Sequence, residues 1–204
     1  MALMNFKKET ITVTADRFLV EKVLQEGAFH KSLKQFRLPN EQQQAMLRAL
    51  RTLDVDLALA FDGETILGYT MILPPEADER WSQMAQIKVL GVIEVAIPLR
   101  NQGLASALLT KILGARPYEK DILISLEYRW HWDLSSVEGD SSLYKQLLQK
   151  LLMKGGFEEV LTNEPDVMAY QDNFMMARFG SEITSEEYLR FFELAGGPTT
   201  NLLR

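Results

Sequence analysis

The chain has 204 residues, 47% of them hydrophobic, and its 22 Lys and Arg residues against 28 Asp and Glu residues give a net charge of -6. This acidic balance, without a run of clustered Lys or Arg, argues against a nucleic-acid-binding protein, because neutralising phosphates requires a basic surface. The absence of cysteine excludes disulfides, thiolate nucleophiles and zinc–sulfur sites. A chain of this length can bury a full core, and we expect residues 1–204 to form a single domain.

Neither a metal site nor a membrane segment is expected from this sequence. The two histidines, His30 and His131, lie far apart along the chain, so a transition-metal site would depend on carboxylates. Residues 1–9 are too few and too quickly charged to form a secretory signal, and no apolar run approaches the length of a membrane-spanning helix. The sequence therefore predicts a cytoplasmic protein that holds no metal and binds no membrane.

The first half of the chain is predicted to contain two helices and three strands. Asp16 is placed to cap the first helix, and Gly63 lies in a short polar turn typical of antiparallel hairpins. In chain order, the expected elements are strand Thr10–Ala15, a helix from Asp16 to about Gly27, helix Asn40–Thr52, and strands Asp56–Phe61 and Thr65–Leu73.

The second half repeats strand and helix patterns. Its expected elements are strand Lys88–Ile97, helix Gly103–Ala115, strand Lys120–Tyr128, helix Ser141–Lys154, strands Glu158–Thr162 and Phe174–Gly180, and a last helix that begins at a capping box of Thr184 and Glu187. The strand–helix–strand order at residues 88–128 predicts a right-handed crossover between parallel strands. The sequence thus predicts an α/β fold with a mixed, mostly antiparallel sheet that contains one parallel pair and is flanked by helices.

The most informative segment lies where the predicted strand at 88–97 leads into the next helix. A helix N-terminus presents unpaired backbone N–H groups and a partial positive charge, and the small residues Gly103, Ala105 and Ser106 would let an anion approach the backbone. The glycine patterns of other phosphate loops and of the nucleophile elbow are absent from the sequence. We therefore expect a phosphate-binding loop here.

Residues 100–105, Arg-Asn-Gln-Gly-Leu-Ala, match the R/Q-x-x-G-x-G/A signature, and through it the chain resembles the GNAT superfamily of N-acetyltransferases. One departure is that Pro98 lies one position later than the proline of most members. The resemblance implies the GNAT fold and acetyl-CoA as co-substrate, with Val95 and Ile97 along the pantetheine arm. It also implies a pyrophosphate site made by Arg100, Asn101, Gln102, Gly103, Leu104 and Ala105.

A narrower resemblance is to the acetoin-utilisation protein acetyltransferase (AcuA) family. It is carried by the blocks Phe29–Arg37, Glu79–Ser82, Glu127–Leu134 and Met176–Arg178, of which the Trp-His-Trp-Asp run at 130–133 is the most unusual. The resemblance implies a protein lysine acetyltransferase that modifies, and so inactivates, the active-site lysine of an AMP-forming acetyl-CoA synthetase. An acetyltransferase for small amines and a CoA-gated regulatory protein that acts by complex formation are the alternatives.

Acetyl transfer to lysine needs a group that removes the proton of the ammonium, whose pKa is about 10.4. Glu94 is the first candidate, because it is a lone carboxylate inside an apolar strand; a structural role at a sheet irregularity is the alternative. Relatives often place this glutamate two residues earlier, where this chain has Val92, on the same face of the strand. Glu127, at the end of the following strand, is the reserve base, or else a solvated strand-end carboxylate.

The proton donor to the departing thiolate is less evident. Relatives often carry a tyrosine four residues before the glycine that corresponds to Gly156, but this chain has Leu152 there. Tyr144 or His131 could replace it, and a thiolate could also leave unassisted, since the pKa of a thiol is about 8.5. The aromatic run Trp130–Trp132 has two interpretations, a plug of the core or a clamp for the acceptor.

Overall fold

The computed structural model describes residues 10–196, so residues 1–9, on which the prediction about a secretory signal rests, lie outside the described part. The structure divides into two compact units. The described part of the first covers residues 10–72 and 92–116, and the second covers residues 73–91 and 117–196. Within residues 10–196, no helix is long and apolar enough to span a bilayer.

The described part of the first unit contains four strands, three helices and the second half of a fifth strand. Its elements are β1 (Thr12–Thr14), α1 (Arg17–Glu26), β2 (Ala28–Phe29), α2 (Pro39–Thr52), β3 (Asp56–Asp62), β4 (Thr65–Leu73), the later part of β5 (Ile87–Val95) and α3 (Leu104–Leu113). The side chain of Asp16 accepts a hydrogen bond from the Leu19 amide, which confirms the predicted cap of α1. Gly63, at φ +56°, closes the hairpin of β3 and β4.

In the first unit, antiparallel pairs join β1 to β3 and β3 to β4. A short parallel pair joins β2 to β4, and it was not predicted because two residues are too few to show a periodic pattern. The end of β5 runs beside β4, where the Ala96 amide donates to the Leu67 carbonyl at 2.8 Å. Gly68 of β4 makes this approach possible, because a Cβ there would lie 3.0 Å from the Glu94 carbonyl oxygen and 3.1 Å from Leu108 of α3.

The second unit contains the first half of β5 and the remaining elements. They are β6 (Ile122–Glu127), α4 (Ser141–Lys154), β7 (Glu158–Val160), α5 (Pro165–Met168), β8 (Phe174–Phe179) and α6 (Ser185–Ala195). β5 pairs parallel with β6 from Ile87 to Val89, β6 pairs antiparallel with β8, and β8 with β7. The predicted fold class, a mixed sheet that is mostly antiparallel and flanked by helices, is confirmed.

Aromatic packing stabilises the core of the second unit. Phe191 of α6 is fully buried and contacts the rings of Trp81 and Phe179. The capping box of Thr184 and Glu187 that begins α6 is formed as predicted, with each residue bonded to the backbone of the other. The apolar face of α6 therefore belongs to the core.

Candidate active site

The predicted phosphate loop is a tight turn that leads into α3. Asn101 and Gly103 both have left-handed backbone conformations, with φ of +61° and +84°. Gly103 is the N-cap residue, and no side chain caps the helix. The first intrahelical bond runs from the Ala107 amide to the Gly103 carbonyl, so the amides of the first turn have no carbonyl within the helix to bind. Such a terminus attracts an anion.

Side chains of the loop fold back onto the segment before it. The Arg100 Nε donates to the Val95 carbonyl at 3.3 Å, and the Gln102 Nε2 donates to the Pro98 carbonyl at 3.0 Å. Gln102 and Gly103 are exposed, and within residues 10–196 no heavy atom outside the neighbouring residues lies within 4 Å of the place where a Cβ of Gly103 would be. The backbone of the turn is therefore accessible to a ligand.

Ile97 is not part of a strand, which corrects the predicted strand Lys88–Ile97. β5 ends at Val95, and residues 97–99 form a 3₁₀ turn with Pro98 inside it. Pro98 has no amide hydrogen and a fixed φ, so it cannot continue a strand ladder and is well suited to the first turn of a helix. Val95 is buried, whereas the Ile97 side chain is 52% exposed. The two residues proposed for the pantetheine arm thus have different environments.

The backbone of Ile97 is held by a residue that the sequence did not single out. Its amide donates to the Ser32 Oγ at 3.0 Å, and that oxygen lies 2.8 Å from the His30 Nδ1. The Ser32 amide also donates to this nitrogen, so in the neutral ring the proton is assigned to Nε2. Burial, followed by the charge of Lys31, lowers the pKa of His30, which favours the neutral ring. His30 and Ser32 belong to the block Phe29–Arg37 that resembles the AcuA family. That resemblance is the one feature of the sequence that could have drawn attention to Ser32.

Glu94 lies near the end of β5 and is only 5% exposed. One carboxylate oxygen accepts the Gln35 amide at 3.0 Å, and the other accepts the Tyr69 hydroxyl at 2.5 Å. Burial, followed by the charge of Glu94, raises the pKa of Tyr69 far above its usual range, so the phenol remains a proton donor. The carboxylate thus links β5 to β4 and to the segment before α2.

The two donors to Glu94 could not be found by pattern. Tyr69 looks like one more apolar residue of a buried strand, and Gln35 contributes a backbone amide, which any residue except proline would supply. They are 25 and 59 residues away from Glu94 in sequence. Only the tertiary fold brings them to the carboxylate.

Glu127 is the last residue of β6 and lies in the second unit. The Ser125 hydroxyl donates to its carboxylate at 2.7 Å. Burial raises the pKa of Glu127, and the Ser125 hydroxyl and the Trp132 indole partly offset that rise. The buried Trp132 Nε1 makes no hydrogen bond of normal geometry among residues 10–196, so the indole acts on Glu127 through its dipole. Glu127 is therefore a half-buried carboxylate with a hydroxyl donor from its own strand.

Tyr144 of α4 stacks on Trp132, with ring centroids 5.3 Å apart and planes 21° from parallel. Trp132 in turn contacts Phe174 and is buried, whereas Trp130 is 47% exposed. The two tryptophans of the Trp-His-Trp run therefore differ, because Trp132 packs into the core and Trp130 remains on the surface. Leu152, at the position where relatives often carry tyrosine, is buried.

The candidate residues separate between the two units. Glu94 lies in the first unit, as do Val95, Ile97 and the loop 100–105, whereas Glu127 and Tyr144 lie in the second. The first unit therefore combines a helix N-terminus, whose first-turn amides have no partner within the helix, with a buried carboxylate that is nine residues before Gly103 in the chain. Within residues 10–196, no group of three or more His, Asp or Glu side chains could hold a metal ion.

Known proteins give an independent comparison. No protein-family model matches the chain. It is 35% identical over 168 residues to the acetoin utilization protein AcuA of Bacillus subtilis, a match that covers 81% of this chain and 80% of that protein. It also resembles the crystal structure of the acetoin utilization protein from Exiguobacterium sibiricum, with a TM-score of 0.80, 29% identity and coverage of 86% and 84% of the two chains. A GNAT-family acetyltransferase from Streptococcus pneumoniae shares the fold, with a TM-score of 0.51, 18% identity and coverage of 83% and 99%.

Proposed function

The chain belongs to the AcuA family of acetoin utilization proteins and has the GNAT fold, and from that premise we propose that it transfers the acetyl group of acetyl-CoA to a lysine of a protein partner. The proposed partner is an AMP-forming acetyl-CoA synthetase, whose active-site lysine would be blocked by the acetyl group. The resemblance to the AcuA family supports this choice of partner. The remainder of the proposal rests on the first unit.

The observation that carries the proposal is the uncapped N-terminus of α3. Its first-turn amides, the left-handed backbone of Asn101 and Gly103, and the open space beside Gly103 together suit a diphosphate. The same turn follows directly from β5, so a ligand that is anchored here by its diphosphate can extend its pantetheine arm toward Val95 and Ile97. Acetyl-CoA has this arrangement of a diphosphate and a thioester arm.

In the proposed reaction, the neutral lysine amine attacks the thioester carbonyl, a C–N bond forms, the C–S bond breaks, and CoA leaves as the thiolate. The acylated nitrogen gives up its surplus proton, which the thiolate takes up to become the thiol. Glu94 takes up the proton that the ammonium must lose, directly or through water. Each carboxylate oxygen can accept more than one hydrogen bond, so the bonds from Gln35 and Tyr69 hold Glu94 in place and leave capacity for a proton. Glu127 is the reserve base, and Tyr144 is the candidate proton donor to the thiolate. The thiolate can also leave without a donor, because the pKa of a thiol is about 8.5.

Calorimetric titration with CoA tests the diphosphate site, with Gly103→Ala as the variant and Gly63→Ala as its matched control. Both glycines have positive φ and open space around the position of a Cβ, so both substitutions impose a similar backbone strain of about 1–2 kcal/mol. Only the methyl group at position 103 lies beside the first-turn amides. We expect weaker CoA binding by Gly103→Ala and wild-type binding by Gly63→Ala. Absence of CoA binding by the wild-type protein would overturn the proposal.

The acceptor is tested by the intact mass of a purified AMP-forming acetyl-CoA synthetase after incubation with acetyl-CoA and this protein. The proposal predicts the mass increase of one acetyl group, located on one lysine, together with loss of synthetase activity. Acetylated polyamines without a modified synthetase would instead indicate a small-amine acetyltransferase. A complex that inhibits the synthetase without any acetyl adduct would indicate regulation by binding alone.

A further inference from the structure

A group of aromatic side chains lies on the surface of the second unit and has no part in the reaction described above. This acidic aromatic patch is defined by the rings of Tyr128, Trp130, His131 and Tyr170 and by the nearby carboxylates of Glu79, Glu164 and Asp166. Trp130 is 47% exposed and Tyr170 is 51% exposed. Exposure of two large aromatic side chains next to each other is uncommon unless the surface binds something.

The rings of the patch are arranged around Trp130. Tyr128 stacks on the indole with a centroid distance of 4.7 Å and an interplanar angle of 4°. His131 and Tyr170 meet it edge-on, at 5.9 Å and 75° and at 5.8 Å and 61°. Each ring thereby limits the rotation of its neighbours, so the patch is rigid enough to receive a ligand with little loss of side-chain entropy.

Carboxylates surround these rings. The pKa of Tyr128 is raised above its usual range by burial and then by the negative charges of Glu164, Asp166, Glu79 and Glu127. The pKa of Glu79 is raised by burial and by its acidic neighbours, Glu164 among them. The pKa of His131 is lowered by burial against the other rings, so at neutral pH it adds no positive charge. The carboxylates therefore make the field at Tyr128 negative. Arg129, the cation next to Tyr128 in sequence, has its Nε 3.8 Å from the Asp172 carboxylate.

Arg80 fixes the position of two of the acidic segments. Its Nε lies 2.8 Å from a Glu164 carboxylate oxygen, and its Nη1 donates to the Asn163 side chain at 2.5 Å and to the Leu194 carbonyl at 3.3 Å. The loop that contains Glu79 is thereby fastened to the segment that leads to Tyr170. Arg80 neutralises the charge of Glu164 by pairing with it, whereas the negative charge of Asp166 still acts on the ring of Tyr128.

We propose that the acidic aromatic patch binds the positively charged side chain of a lysine-bearing segment of the protein substrate. Aromatic faces attract cations through the ring quadrupole, and carboxylates add a longer-range attraction. An ammonium on an aliphatic stem matches both parts, because the stem covers the rings and the charge faces the carboxylates. This inference rests on the proposed function for the identity of the substrate, and it adds the site that recognises it.

Binding is tested without acetyl-CoA by titrating the protein with a capped glycine-rich peptide that contains two lysines, and with the same peptide carrying norleucine at both positions. The three tryptophans give separate indole N–H signals in an NMR spectrum, and Trp81 and Trp132 are buried internal references. We expect the lysine peptide to shift the Trp130 signal, the norleucine peptide to leave it in place, and added salt to weaken the effect. Equal shifts with both peptides, or no shift with either, would contradict the proposal.

Kinetics with the synthetase test the same surface in the reaction. Trp130→Ala and Tyr170→Ala should raise KM for the protein acceptor by at least about threefold, the effect of losing a contact of roughly 0.7 kcal/mol, with kcat and CoA affinity unchanged. Phe18→Ala is the matched control, because Phe18 is an aromatic residue that is 83% exposed on α1. An unchanged KM in both patch variants would overturn the inference. Failure of the wild-type protein to bind CoA would instead overturn the proposed function, and the peptide titration would still test the patch.

Discussion

Glu94 at the end of β5 is buried and Glu127 at the end of β6 is half-buried, and the protein stabilises the two carboxylates differently. Glu94 accepts one backbone amide and one phenol, and each carboxylate oxygen has its own donor. Glu127 accepts a hydroxyl from Ser125, two residues before it, and lies near an indole N–H that does not reach hydrogen-bond geometry. Burial alone therefore does not define a site, because the number and origin of the donors decide how firmly a carboxylate is held.

We expect the largest difference between substitutions of the two carboxylates in the turnover number. Glu94→Gln should lower turnover at least about tenfold with CoA affinity near that of the wild type, because the amide cannot take up the proton. Glu127→Gln is the matched control and should retain most of the activity. Steady-state kinetics and CoA calorimetry on both variants check this. The reverse ranking would make Glu127 the base.

The next effect is on the free energy of unfolding. Tyr69→Phe should cost about 1–3 kcal/mol, since it leaves a buried Glu94 oxygen without its hydroxyl donor. Ser125→Ala should cost less, about 0.5–1.5 kcal/mol, because Glu127 is only partly buried and water can replace the lost hydroxyl donor. Urea unfolding of both variants at neutral pH gives the comparison. Equal costs would mean that the two carboxylates are held alike.

The smallest effect is in the pH dependence of stability. The pKa of Glu127 is raised in the folded protein, so between the ordinary value of 4.5 and the folded value the folded state binds more protons than the unfolded chain. The contribution of Glu127 to the free energy of unfolding is therefore fully present below pH 4.5, and it declines as the pH rises toward the pKa of Glu127 in the folded protein. Thermal unfolding from pH 4.5 upward should show wild type losing stability relative to Glu127→Gln. Parallel profiles for the two proteins would contradict the raised pKa.

Features encoded by neighbouring residues were predictable from the sequence. The Asp16 cap, the Gly63 hairpin and the capping box at Thr184 each depend on residues within a few positions, and helix 141–154 has the predicted bounds. The turn into α3 was also recognisable, because Gly103 immediately precedes an apolar helix.

Features that depend on distant residues were not predictable. The donors to Glu94 come from β4 and from the segment before α2, and the Ser32 hydroxyl reaches the Ile97 amide across 65 residues of sequence. The strand that was expected to reach Ile97 ends at Val95, since the apolar pattern continues past the point where Pro98 stops the hydrogen-bond ladder. Hydrophobic periodicity reports burial but does not identify a polar partner.

Gly68 has a consequence for the evolution of this sequence. Its missing side chain sets the spacing between β4 and the backbone of Glu94, and the neighbour of Gly68, Tyr69, supplies the phenol that Glu94 accepts. The methyl group of an alanine at position 68 would push β4 away from β5. The hydrogen bond between Tyr69 and Glu94, which joins the same two strands, would then be lengthened. Natural variants are therefore expected to preserve glycine here wherever the tyrosine–glutamate pair is preserved, and to lose the two features together.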